Sequence, residues 1–151
     1  TGSVLPIWKS MFEKNKKILT TGPHMRRFFF TINDAVDLVL YALVNKNKYQ
    51  GKIVCADMKS CKLIDIINVW IKKYGGSYQA IKGRKGDRLD EYLIGSNEIE
   101  QTTKIIKNKK IYYIIDFENK SKKPIKKIIS SENSKKLSIS EISKLIELGI
   151  N

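Results

Sequence analysis

From Gly22 the chain reads Gly-Pro-His-Met-Arg-Arg-Phe-Phe-Phe-Thr, and from Ile32 to Val44 Ile-Asn-Asp-Ala-Val-Asp-Leu-Val-Leu-Tyr-Ala-Leu-Val. The bulky run Phe28, Phe29 and Phe30, bounded by Gly22 and Pro23, marks an extended segment. Thr31 and Asp34 have the spacing of a capping box, and Val36, Val39, Leu40 and Leu43 recur as one apolar helix face. A strand running straight into a buried helix is therefore expected, with Arg26 and Arg27 at the strand's mouth. Two guanidiniums held on rigid elements present planar donors suited to an anion's oxygens. They equally suit a solvated basic edge, and spacing alone leaves both readings open.

Outward from this stretch, the chain of 151 residues has the size of one domain able to bury a core, and its 42% hydrophobic content opposes wholesale disorder. Lys and Arg total 29 against 15 acids, a formal charge of +14 that invites a polyanionic partner. Lys, Ile and Asn are spread through all segments, however, as a compositional bias would spread them. The sequence holds no long apolar run and no signal-peptide layout, so a cytoplasmic protein without membrane insertion is expected. Cys55 and Cys61 are too widely spaced for a Cys-x-x-Cys motif, and His24 is the only histidine, so no metal set is expected. Reduced thiols fit that picture. The chain opens on Thr1 without a preceding strand, which reads as part of something longer.

Before Gly22, Ser3 can cap a helix with Pro6 near its start and Val4, Ile7, Trp8, Met11 and Phe12 inward, ending by Lys14 to Lys17. Ile18 to Thr21 is a strand candidate. After Leu43, residues 45–50 read as a loop, and Lys52 to Ala56 as a fully buried strand. Ser60 caps a helix with the face Leu63, Ile66, Ile67 and Trp70, stopped by Gly75 and Gly76. Tyr78 to Ile81 and Ile111 to Ile115 are further strands. Between them, residues 82–91 form a charged loop with Gly83 and Gly86, whose backbone can approach a ligand while arginines supply donors. A charged surface turn would look the same. Residues 119–130 are a Lys-rich, mobile and exposed connection, and residues 137–149 a terminal helix with a Ser138/Glu141 capping box, a Leu137/Ile142 staple and Gly149 as stop. No internal repeat or second domain is visible.

No Gly-x-Gly-x-x-Gly or P-loop sequence follows a strand, and one histidine supports no Ser/His/Asp or Cys/His set. The residues alone describe a basic α/β domain with two Arg-bearing loops, no catalytic residues and no cofactor or metal site.

The blocks Gly2-Ser3-Val4-Leu5-Pro6, Met25 with Arg27-Phe28-Phe29 and Thr31, Ala35-Val36 with Leu38-Val39-Leu40, and Gly83 to Glu91 together resemble the C-terminal half of the UDP-N-acetylglucosamine 4,6-dehydratases. These are inverting, extended short-chain dehydrogenases/reductases of capsular and surface-polysaccharide synthesis. Ser130-Ser131-Glu132-Asn133, with Leu137-Ser138 and the closing helix, is similar to their end. Their pattern Asp-Pro-Arg-Met-Thr-Arg-Phe is matched by Pro23, Met25, Arg27 and Phe28, and Arg-Pro-Gly-Glu-Lys-Leu-His-Glu by Arg84, Gly86, Leu89 and Glu91. Asp87 and Arg88 are conservative replacements; Gly22, His24, Arg26, Lys85 and Asp90 depart from the pattern, standing for Asp, Arg, Thr, Pro and His.

The resemblance implies the substrate-binding part of a Rossmann-type α/β fold, with NADP(H) and the catalytic residues on an N-terminal Rossmann half or partner chain. The complete enzyme is then expected to be a homo-oligomer acting on a UDP-sugar, while this chain alone is inactive and binds no cofactor. It further implies Val4 and Thr21 beside uridine and sugar, Arg84 on the diphosphate, Asp87 and Glu91 orienting that arginine or bonding ribose hydroxyls, and Arg27 placing the same loop. A nucleotide-sugar epimerase, a nucleic-acid-binding module and a non-catalytic scaffold remain as alternatives. Against the nucleic-acid module stands the core spacing of most aromatics, so no specific nucleic acid is expected.

Overall fold

The computed structural model describes residues 4–83 and 85–150. Ser3 and Arg84 lie outside the described residues. The fold mixes helices and short strands. Its chain order is α1 (Val4–Asn15), β1 (Lys17–Thr20), β2 (Arg26–Phe29), α2 (Ile32–Val44), α3 (Lys46–Tyr49), β3 (Ile53–Ala56), β4 (Lys59–Lys62) and α4 (Leu63–Tyr74). Then follow β5 (Ser77–Ala80), β6 (Tyr92–Ile94), a 3-10 turn (Ser96–Glu98), β7 (Thr102–Lys107), β8 (Lys110–Ile115), β9 (Ile129–Ser130) and α5 (Ile139–Ile150). Strand β1 pairs in parallel with β5, whereas β3 with β8, β7 with β8 and β6 with β9 are antiparallel; β2 pairs with β4. Where the sequence reads as a single region, the residues gather into two compact units, one of 1–27, 60–91 and 136–151, the other of 28–59 and 92–135.

The first unit is built on α1, α4 and α5. Helix α4 buries Leu63, Ile66, Ile67 and Trp70, the face its periodicity marks. Helix α1 buries Leu5, Trp8 and Phe12, while Ile7 is exposed and Val4 and Met11 are half-buried. Phe12 meets Trp70 edge to face at 5.8 Å, an arrangement favoured by the ring quadrupoles. Helix α5 adds Ile142 and Ile146. Its Ser138/Glu141 capping box forms as expected, with the Glu141 N–H donating to the Ser138 hydroxyl and the Ser138 N–H to the Glu141 carboxylate.

Two glycine expectations part here. Gly75 ends α4 at φ 75°, and Gly76 follows at φ 84°, the left-handed region that favours glycine. Gly149, expected to stop α5, instead lies inside it. A Cβ there would collide with Leu5, so this glycine serves close packing of α5 on α1. Ser60 is not the cap of α4 either. It lies fully buried in β4, its hydroxyl accepting from Lys136 Nζ at 3.0 Å and its carbonyl accepting the Leu137 N–H at 3.0 Å. Lys62 takes the cap position, with its N–H donating to Asp65.

In the second unit, β3, β8 and β7 form a sheet in that order. Strand β7 escaped the sequence reading. Asn108 and Lys109 turn it into β8 with both residues at positive φ (51° and 64°), as two-residue hairpin turns require, but without the usual glycine. Ile94, Tyr113 and Ile115 form the core, with Cys55, Leu93, Ile111, Ile125 and Ile129 packed against it. Strand β3 is only partly covered, Ile53 being exposed, contrary to the expected full burial. Residues 45–50 are not a plain loop, because α3 forms there and buries Tyr49. The Lys-rich connection is tied down. Ile125 N–H donates to the Thr102 carbonyl at 3.1 Å, Pro124 bridges Thr103, and Lys120 pairs with Glu100, although its other lysines are exposed.

The largest difference from the sequence reading concerns α2. Its capping box forms between Thr31 and Asp34, yet the helix has no buried residue. Ala35, Leu38, Tyr41 and Ala42 make up the half-buried side, and Tyr41 stacks on Tyr112 with ring centroids 3.7 Å apart. Val36, Val39, Leu40 and Leu43, expected inward, are exposed. The helix is apolar on both sides, and periodicity selected the uncovered one.

Candidate functional site

Parallel strands β1 and β5 end side by side, and the segments leaving their carboxyl ends meet. Ligands of open α/β sheets commonly bind at such ends. From β1 the chain passes Thr21, which is exposed, into the turn 22–25, closed by the Met25 N–H on the Gly22 carbonyl at 3.0 Å. A Cβ on Gly22 would collide with the Met25 side chain, so glycine there lets the methionine fold back over the turn. From β5 the Ile81 N–H still reaches the Thr20 carbonyl at 2.9 Å, and the loop 82–91 begins. An added Cβ on Gly83 would stand 3.2 Å from the Asp87 carboxylate and 3.4 Å from the Thr21 carbonyl, so the two segments are in contact there. Gly86, at φ 93°, supplies the bend.

Strand β2 holds the far end of this loop. The Arg26 N–H donates to the Leu89 carbonyl at 2.8 Å. The Arg26 guanidinium grips Asp90 with two parallel bonds, Nε to Oδ1 at 2.5 Å and Nη2 to Oδ2 at 2.6 Å, and both side chains are largely covered. Arg27 Nη1 donates to the carbonyls of Arg26 at 2.8 Å and Leu89 at 3.3 Å. Its Nη2 donates to the Arg88 carbonyl at 3.0 Å and meets Met25 Sδ at 2.9 Å, while Nε lies 3.2 Å from Glu91 Oε1. These donors staple the loop to the strand. Lys85, Gly86, Asp87, Arg88 and Leu89 are left exposed.

Of the residues singled out in the sequence, Thr21, Arg27, Asp87 and Glu91 therefore lie on these neighbouring segments. Val4 is half-buried in the first turn of α1, and Arg84, between Gly83 and Lys85, lies outside the described residues. The two arginines, which the sequence alone reads as an anion clamp or a basic edge, instead carry contacts to residues 88–91. The Arg26–Asp90 pair was missed. Its signal was the departure of both positions from the pattern of the resembled family.

Chemistry elsewhere is sparse. Burial pushes the Cys61 thiol up to about 12 and raises Cys55 as well, so neither is primed as a nucleophile. Among the described residues no group of His, Cys, Asp and Glu could hold a metal ion, and no helix is long and apolar enough to cross a membrane. Helix N-termini are ready seats for a pyrophosphate, and among the described residues those of α2, α4 and α5 each carry their own carboxylate, from Asp34, Asp65 and Glu141. A concavity of about 480 Å³, lined in part by Lys46, Tyr49 and Lys52, contains none of the residues singled out above.

Comparison with known proteins gives a consistent picture. The polysaccharide biosynthesis protein family matches residues 1–115. A UDP-glucose 4-epimerase of Rickettsia typhi is 27% identical over 96% of this chain and 45% of its own length. The capsular polysaccharide biosynthesis protein CapD of Staphylococcus aureus is 34% identical over 75% of this chain and 20% of its own. The X-ray structure of Pen from Bacillus thuringiensis superposes with a TM-score of 0.79 and 26% identity, covering 98% of this chain and 46% of that one. The chain thus spans less than half the length of each.

Proposed function

The chain belongs to the polysaccharide biosynthesis protein family, and from that premise we propose that it is the substrate-binding portion of a UDP-N-acetylglucosamine 4,6-dehydratase. The observation that carries this reading is the loop 82–91, brought to the carboxyl ends of β1 and β5 and stapled there by β2. A loop held at its far end, with glycines and exposed cations, suits a diphosphate, because less of the backbone is left for the ligand to order. In this reading Arg84 holds the diphosphate, Thr21 and Val4 line the uridine and sugar side, and Asp87 and Glu91 orient the arginine or bond ribose hydroxyls. Arg27 places the loop. NADP(H) supplies the hydride chemistry in such an enzyme; this chain's own residues bind and orient the sugar nucleotide.

A Rossmann-type segment, from the same polypeptide or a partner chain, completes the proposed enzyme, which works as a cytoplasmic homo-oligomer. The uncovered aliphatic side of α2 supports such a covering layer. A second reading, a UDP-sugar 4-epimerase, is favoured by the Rickettsia typhi likeness over nearly the whole chain.

The test supplies UDP-N-acetylglucosamine and, separately, UDP-glucose to the protein together with its Rossmann segment. A 4-keto-6-deoxy product is expected. Interconversion of UDP-glucose and UDP-galactose without that product decides for the epimerase, and neither product overturns both. In the same protein Arg84→Ala is expected to weaken UDP binding by roughly 1.5–3 kcal/mol, the scale of a hydrogen bond to a charged group, and Lys85→Ala by much less. Calorimetric titration of UDP separates these, and equal small losses would reduce the loop to a charged turn.

A further inference from the structure

We propose that the Arg26–Asp90 ion pair is a positioning device of this chain that fixes the 85–91 loop in the arrangement that receives the diphosphate. The inference rests on the reading of that loop as a nucleotide-sugar site, and it concerns two residues that depart from the resembled family's pattern. A loop with Gly83 and Gly86 within four positions has little conformational preference of its own. Its order must come from outside. The pair joins residues 64 apart in sequence through both carboxylate oxygens, and its side chains are only 19% and 14% exposed, whereas residues 85–89 are exposed. A two-bond guanidinium–carboxylate contact fixes direction as well as distance. Together with the Arg26 N–H on the Leu89 carbonyl, it pins the loop's end by side chain and backbone at once.

The alternative is that Arg26 binds the anion itself. It would then have to release Asp90 and leave a mostly covered carboxylate without that partner, which is costly. The two departures also belong together. Arg26 stands where the pattern has Thr and Asp90 where it has His, and here each is the other's partner. Arg26 and Asp90 are accordingly positioning residues, and the exposed loop donors meet the ligand.

The two roles give opposite signs for one substitution. Removing a negative charge near an anion site strengthens anion binding if charge alone matters, whereas Asp90→Asn weakens it if the pair orients the loop. The experiment uses this chain, with UDP titrated by NMR and, separately, limited trypsin digestion followed by mass spectrometry at Lys85 and Arg88. For Asp90→Asn, UDP binding is expected to weaken about tenfold and cleavage at both sites to accelerate about tenfold, the equivalent of one charge-assisted bond. The reversed pair Arg26→Asp/Asp90→Arg is expected to recover both to within about threefold, which a mere loss of folding or of a ligand contact would not do. Arg26→Lys, checked by circular dichroism, replaces Asp90→Asn should the latter fail to fold, with the same direction expected. Unchanged cleavage, stronger UDP binding by Asp90→Asn, or no recovery on reversal overturns the proposal. Absence of UDP binding by the parent chain at millimolar concentration overturns the site's reading instead, while faster cleavage in the variants still establishes the pair as the loop's anchor.

Discussion

Helices α4 and α2 carry nearly the same sequence signal and end in opposite environments. In α4, Leu63, Ile66, Ile67 and Trp70 are 8%, 0%, 0% and 2% exposed; in α2, Val36, Val39, Leu40 and Leu43 are 50%, 65%, 51% and 60% exposed. Both helices run for three to four turns, and both begin on a carboxylate three residues past the cap. The difference lies on the other side of each helix. Opposite its apolar face α4 carries polar residues such as Asn68, Lys72 and Lys73, so only one orientation buries its aliphatics. Helix α2 has a second apolar stripe, Ala35, Leu38, Tyr41 and Ala42, and that stripe takes the half-buried side. Periodicity thus identifies faces, and whether a face is covered depends on what lies against it.

The comparison breaks most visibly at Trp70. It is 2% exposed and meets Phe12 and Tyr74 edge to face, at 5.8 and 5.6 Å. Trp70→Ala is expected to cost about 3–5 kcal/mol through lost transfer energy and an uncollapsed cavity. Urea unfolding followed by far-ultraviolet circular dichroism measures it, and a cost below about 1 kcal/mol would show that the α4 face is not the core it is taken for.

The end of α4 gives the next effect. At Gly76 an added Cβ would stand 2.5 Å from the Lys16 carbonyl oxygen, on a residue already at φ 84°. Gly76→Ala is expected to cost about 2–4 kcal/mol, combining left-handed strain with overpacking. Gly75, at φ 75° with open space around it, bears the strain alone, and Gly75→Ala should cost about 1 kcal/mol. Equal midpoints in urea for the two variants would remove steric contact with Lys16 as the cause.

These elements also show what could be read in advance. Capping boxes at Thr31 and Ser138, the buried face of α4, and strands β1 and β8 follow from local spacing, so the sequence displays them. Local spacing misled at Ser60, a typical cap residue whose place is decided by Lys136 and Leu137, 76 and 77 residues later. It misled again at Gly149, where packing on Leu5 outweighs the usual role of a terminal glycine. Strand β7 stayed hidden because its turn uses Asn108 and Lys109 in the left-handed region without glycine. At the candidate site, motif resemblance points to Asp87 and Glu91, but the stapling by Arg26 and Arg27 depends on contacts with residues more than 60 positions away.

A smaller effect is expected at the start of α2. Asp34 accepts from the Thr31 N–H and hydroxyl, and the backbone bond, ahead of the hydroxyl, holds its pKa below the ordinary carboxylate range. Since the folded value is the lower one, this stabilisation is complete above the ordinary carboxylate range and disappears as the pH falls through the folded value. Thr31→Ala should cost about 1 kcal/mol at neutral pH and progressively less on acidification below about pH 4. A cost independent of pH between neutrality and pH 3 would show that the cap works without Asp34's charge.

The smallest effect on stability is expected on the uncovered face of α2, and it gives the comparison its sharpest form. Leu40 and Leu43 are 51% and 60% exposed, so replacing them removes little buried area from the chain itself. Leu40→Glu with Leu43→Glu should therefore change unfolding free energy by no more than about 0.5 kcal/mol, as surface substitutions do. The same pair of changes should nevertheless lower binding of a hydrophobic dye and reduce concentration-dependent association in sedimentation velocity, because a contiguous aliphatic stripe is lost from the surface. A large loss of stability would mean that the stripe is covered within this chain, making α2 a second α4. Unchanged dye binding and association together with unchanged stability would mean that the stripe is too small to attract another surface, and the contrast between the two helices would then be one of burial alone.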